Sequence, residues 1–112
     1  MQLTNLKDST SKAYNEGAVI NNSGLFASKT GEPRLSIRIE VRRKFSKGCD
    51  HITWQLFGDM AVYYAPLLTR GKRIGLYGWF ENNKDDYGRQ QINFKCVKVD
   101  LDPVNTNKEQ NS

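Results

Sequence analysis

Apolar and polar residues alternate strictly along one stretch of this chain. Leu35, Ile37, Ile39 and Val41 are interleaved with Ser36, Arg38, Glu40 and Arg42. A period of two sustained in this way predicts a half-buried strand, because successive side chains leave a strand on opposite faces. A second run sets Ile52, Trp54 and Leu56 against His51, Thr53, Gln55 and Phe57, and stops at Gly58. A third sets Ile74, Leu76, Gly78 and Phe80 against Arg73, Gly75, Tyr77 and Trp79. A fourth sets Ile92, Phe94 and Cys96 against Asn93, Lys95, Val97 and Val99. Residues 17–27 read as an irregular first strand, closed by a turn over 28–33 that holds Gly31 and Pro33.

The period changes over residues 59–69, where Met60, Tyr63, Tyr64, Leu67 and Leu68 fall at helical spacing. Asp59 is the expected N-cap. Pro66 removes a helical hydrogen bond late in the run, and Arg70-Gly71-Lys72 supplies a cation and a glycine stop. Residues 43–48 make a basic loop and 81–89 a hairpin loop, in which the carboxylates of Asp85 and Asp86 are expected to splay into solvent. Residues 1–16 are polar and aperiodic and read as a flexible arm. Residues 103–112 read as a disordered polar tail, which leaves one folded domain over 17–102. Three strands, a helix and two strands make an all-β fold: a five-stranded OB-fold barrel with one α-helix between strands 3 and 4. Gly75 and Gly78 suit the tight coiling that closure of a small barrel demands.

Composition narrows the function. Seventeen Lys and Arg against twelve Asp and Glu give a formal net charge of +5 and a pI near 9.3, a balance that favours polyanionic partners. No apolar run approaches the length of a spanning helix, and the first residues lack the apolar centre of a secretory signal. A cytoplasmic protein without a membrane partner is therefore expected, associated with the nucleoid if the source is bacterial. Cys49 and Cys96 are expected to be free thiols, and a single histidine, His51, argues against a bound metal. The sequence contains no Gly-rich phosphate loop, no GxSxG and no HExxH, so neither an enzyme nor a cofactor is expected.

Several segments share their spacing with one family. Residues 54–61 (WQLFGDMA) pair a strand-ending aromatic with glycine before a helix. Arg70-Gly71-Lys72-Arg73-Ile74 opens the next strand, with Gly78 following. Residues 39–45 (IEVRRKF) run from an apolar strand into basic residues and an aromatic, and Thr30-Gly31 stands at the preceding turn. Over residues 25–101 the chain resembles the bacterial-type single-stranded DNA-binding proteins. The resemblance implies an OB barrel, assembly into a homodimer or homotetramer, and coating of single-stranded DNA during replication, recombination or repair. The chain ends in Lys108-Glu109-Gln110-Asn111-Ser112, without the acidic, Phe-ended tip many members use to recruit partners, so such partners are not expected.

Binding a single strand regardless of sequence takes flat π-faces for the bases and cations for the phosphates. Phe57 is the expected base platform, on a face shared with His51, Thr53 and Gln55, while Trp54 belongs to the core with Ile52 and Leu56. Phe45 stands in the basic loop among Arg42, Arg43, Lys44 and Lys47, and the resemblance points to it as a second stacking residue. Arg38, Arg73 and Arg89 complete the expected phosphate contacts. Lys84 and Lys95 are further candidates for the same role. Trp79, beside Tyr77, extends the binding path or packs at a subunit interface. Tyr87 is exposed in the hairpin and is either a contact or a plain loop tyrosine. His51 is a polar member of this face rather than a catalyst, since no motif sets a nucleophile or carboxylate beside it. Two alternatives stay open: a primosomal-type OB accessory protein acting through protein contacts, and an OB module that binds RNA.

Overall fold

The structure, a computed structural model, describes residues 11–103. Its strands are β1 (Lys12–Asn22), β2 (Phe26–Ala27), β3 (Pro33–Arg42), β4 (Cys49–Phe57), β5 (Arg73–Lys84) and β6 (Gln90–Asp100), with helix α1 (Gly58–Tyr64) between β4 and β5. The sheet runs β1-β5-β6-β4-β3 and closes through a further β1–β3 pairing, while the two-residue β2 adds to the outer edge of β3. This is a five-stranded closed barrel of the OB type, with the helix between the third and fourth barrel strands.

Alternation does what the sequence demands of β3 and β4. Leu35, Ile37, Ile39, Trp54 and Leu56 are fully buried, and Val19, Ile74, Leu76, Cys96 and Val99 complete the strand contribution to the core. The Trp54 ring packs against Phe94 at 5.2 Å between centroids, and its Nε1 donates to Asn15 Oδ1 at 3.0 Å, so the indole is buried without an unpaired donor.

Closure depends on β1, which starts at Lys12 rather than Gly17. Its first half pairs with β5 from Lys12↔Trp79 to Ala18↔Arg73, and its second half turns to β3 from Ala18↔Glu40 to Asn22↔Ile37. The polar register of Lys12, Tyr14 and Glu16 had suggested an arm, but these side chains occupy the outer face of a paired strand. The remainder of the expected arm, and of the tail beyond Pro103, lies outside the described residues. At Gly17 a Cβ would collide with the backbone carbonyl of Glu40, so the bare α-carbon is what lets β1 cross to β3.

Three further details differ from expectation. The helix ends at Tyr64, before Pro66. Its N-cap is Phe57 with no side-chain cap, and Gly58 at φ +64° makes the corner. Ala61 and Leu68 fill the end of the barrel, whereas Tyr63 and Leu67 face outward. Asn22 Nδ2 donates to the carbonyls of Ala65 and Leu68 at 3.0 and 2.9 Å, holding this plug on β1. The hairpin pairs as far as Lys84↔Gln90, which shortens the loop to residues 85–89. A bulge sets Tyr77 opposite Lys98 and Gly78 opposite Cys96, skipping Val97, so Val99 and Cys96 both reach the core although their spacing is odd.

Truncating Trp54 to alanine is expected to cost about 3–5 kcal/mol of stability, as large core aromatics do, measured by denaturant melting. Burial pushes the Cys96 thiol, ordinarily near 9.0, up to about 11. The folded chain keeps this proton where the unfolded chain has lost it, so stability falls as pH climbs from about 9 through about 11. Unfolding free energies followed over that range should show a shallower fall in Cys96→Ala than in the parent.

Candidate nucleic-acid interface

The outward positions of β3 and β4 face each other rung by rung: Arg34 with Phe57, Ser36 with Gln55, Arg38 with Thr53, Glu40 with His51, and Arg42 with Cys49. This ladder spans about 27 Å at the usual rise per strand residue. Phe26 of β2 extends it beyond Arg34, and Lys95 of β6 lies beside Gln55. Arg38, Arg42, His51, Thr53, Gln55 and Phe57 are thus brought onto one face, as their parity required.

The Phe57 end is built around a residue that the sequence reading passed over. The Arg34 guanidinium lies 4.8 Å from the Phe57 ring centroid and 6.0 Å from that of Phe26. Its Nη2 donates to Gln55 Oε1 at 3.1 Å, and its Nε is the one covered side-chain polar atom without a hydrogen-bond partner among the described residues. Lys95 Nζ stands 6.0 Å from the Phe57 centroid while also bridging Glu81 at 3.1 Å. Phe57 is therefore flanked by cations, not a bare platform. The signal for Arg34 was the outer parity of β3, carried one step back to the residue after Pro33. Phe26 gave none, because it follows an irregular loop.

At the opposite end, the loop over residues 43–48 is braced from within. Arg43 bonds Asp50 through Nε at 3.1 Å and Nη2 at 2.8 Å, and its backbone N–H donates to Gly48 O at 3.0 Å. The hydrogen bonds from the Arg43 side chain and its charge hold the Asp50 carboxyl below its ordinary value although both groups are exposed. Lys44, Phe45 and Lys47 are left at the exposed tip, with Phe45 97% exposed. Arg38 Nε donates to Thr53 Oγ1 at 3.2 Å, and His51 Nε2 is 4.0 Å from Glu40 Oε2. Arg73 lies round the barrel, bonded to Glu16 at 3.0 Å, and shares a shallow hollow with Arg42, Glu40 and Cys49.

The parallel register of β4 and β6 sends the hairpin tip toward the same end as the 43–48 loop. Asp85 organises that tip instead of splaying. It accepts from the backbone N–H groups of Tyr87 and Arg89 and binds the Arg89 side chain at 3.1 Å. Arg89 in turn covers the Tyr87 ring at 5.4 Å, leaving that residue 83% exposed.

Trp79 stands on the outward rung that carries Gln55 and Lys95, paired with Lys95 on the side away from β4. It lies on the outer surface of β1, β5 and β6 with Tyr14, Tyr77 and Val97, where the Tyr14 and Tyr77 rings stand 4.3 Å apart and Lys98 Nζ lies 5.2 Å over Tyr77. Partial burial lifts the Tyr14 phenol above its ordinary value, and the Glu16 carboxylate adds to the shift. Cys49 and Cys96 are free, and no group of three metal-ligating side chains occurs among the described residues. Nor is any described helix long and apolar enough to cross a membrane.

No protein-family model matches the sequence, and a comparison with curated proteins finds no match. Among solved structures, the chain is similar to the SSB domain of a protein from Synechococcus sp.. The TM-score is 0.64 at 12% identity, covering 81% of this chain and 94% of that one. At that identity the likeness establishes a shared OB-type fold.

Proposed function

We propose that this protein binds single-stranded DNA along the outer face of β3 and β4, largely without regard to sequence, and performs no chemistry on it. The observation that carries this reading is the ladder itself. Aromatic rings at Phe26, Phe57 and Phe45 stand at its two ends, and Arg34, Arg38, Arg42 and Lys95 are set along it. OB barrels present this pair of strands and the adjoining loops to oligonucleotides. The likeness to an SSB domain and the net charge of +5 support the same reading. Arg38, Arg42, Lys44, Lys47, Arg73 and Arg89 take phosphates, His51 and Thr53 line the path, and Phe45, Phe57 and Tyr87 meet bases. Arg43 acts through the loop it braces. Coating exposed strands in replication, recombination or repair is the corresponding cellular role.

Assembly belongs to the same proposal. Trp79 is 40% exposed and Val97 52%, side by side with Tyr14 and Tyr77 on the surface that begins beyond Lys95. Apolar exposure of this kind marks a contact surface, and a second copy of the chain is its expected occupant. Light scattering at micromolar concentration is expected to give a dimer or tetramer, and Trp79→Glu to lower the mass. A parent monomer contradicts this part of the proposal.

Replacing Phe57 with alanine is expected to weaken oligo-dT binding by roughly 1–3 kcal/mol, the value of one stacked base, while leaving most of the stability intact. Titrations at several salt concentrations should show log K falling with log salt at about −0.7 for each phosphate neutralised. An affinity that is flat with salt, or a Phe57→Ala variant that binds like the parent, counts against the site.

A further inference from the structure

Arg34 and Gln55 hold each other in a way that fixes what they offer a ligand. Arginine carries only donors, so the 3.1 Å contact from Nη2 to Gln55 Oε1 obliges Gln55 to turn its carbonyl toward the guanidinium. The Gln55 amide nitrogen is left on the other branch of the side chain, with no hydrogen-bond partner among the described residues. On Arg34, Nε is covered, so the guanidinium can present only its Nη groups. Its position is set by Phe57 at 4.8 Å and Phe26 at 6.0 Å. Lys95, beside Gln55 in the register, is a further donor, and the Ser36 hydroxyl opposite can rotate to serve either way. The half-exposed edge next to the Phe57 ring is therefore rich in donors.

A base that stacks at this end meets those donors with its own edge. Guanine offers two adjacent acceptors, N7 and O6, whereas adenine sets the N6 donor beside the N7 acceptor. From this we infer that Arg34 and Gln55 make the Phe57 end of the site selective for guanine over adenine, a preference at one position within otherwise sequence-tolerant binding. The inference rests on the proposed single-strand function. Phosphate oxygens also satisfy the pair but carry no base identity, and thymine offers O4 as a single acceptor in place of guanine's adjacent two, so dependence on the purine separates the sources.

The test is an anisotropy titration of the full chain with short dT oligomers of equal length, carrying one central dG, one central dA, or neither. The dG oligomer is expected to bind about fivefold more tightly than the dA oligomer, the lower end of what a two-donor reading of one base supplies. Gln55→Glu keeps the shape and the contact to Arg34 but replaces the free donor with an acceptor. Its dG-to-dA ratio should fall to about one or invert, and because a ratio is read, the added charge cancels. Equal binding of dG and dA by the parent, with dT binding intact, overturns the inference and assigns the pair to phosphate. A ratio unchanged in Gln55→Glu overturns it as well. Failure of every oligomer to bind overturns the single-strand reading and this inference with it.

Discussion

Everything in this molecule depends on one strand serving two neighbours. β1 hydrogen-bonds to β5 along its first half and to β3 along its second. This exchange of partners turns an open sheet into a barrel whose interior is filled by side chains. It is possible because Gly17 presents no Cβ to the Glu40 carbonyl, and a bulge between Val19 and Asn21 takes up the change of register. Closure sends Trp54, Ile37 and Leu76 inward with no exposure. The odd-even rule then leaves the opposite side chains of β3 and β4 outside, in line. Barrel closure and the candidate face are two consequences of the same pleat.

Parity was the legible part. From it the burial of Leu35, Ile37, Ile39, Trp54 and Leu56 followed, as did the outward placement of Arg38, Arg42, Thr53, Gln55 and Phe57. Places where the chain breaks the period stayed hidden. Val99 has the wrong parity for the core until the bulge at Val97 is known, and a bulge is set by pairing with a partner strand, not by local composition. Lys12–Glu16 looked like an arm because only one face of that segment is covered, and its neighbours there are Leu76 and Trp54, far away in sequence. The helix was expected to run over residues 59–69, but it stops at Tyr64, and Leu68 reaches the core from the turn that follows.

The same limit explains the site. Lys and Arg residues could be named, but not their engagements. Arg43 is committed to Asp50, Arg73 to Glu16 and Arg89 to Asp85. Each is an exposed pair of the kind that contributes little stability in water, so an incoming phosphate can compete for the cation at modest cost. Arg34 is different in kind. It stands between two aromatic rings with one nitrogen covered and unpaired, and such an arrangement restricts both the guanidinium and the ring beside it. Pre-set geometry at this end and mobile cations elsewhere suit a surface that fixes one base and tracks a flexible backbone.

The central claim is that single-stranded DNA lies across the outer face of β3 and β4, and mapping amide and side-chain NMR shifts during an oligo-dT titration tests it most directly. The largest changes are expected at Arg34, Arg38, Thr53, Gln55 and Phe57, with changes also at Phe45 and Tyr87, and little at Tyr14 or Trp79. Shifts confined to the Tyr14, Tyr77 and Trp79 surface, or none at saturating oligo-dT, would contradict it.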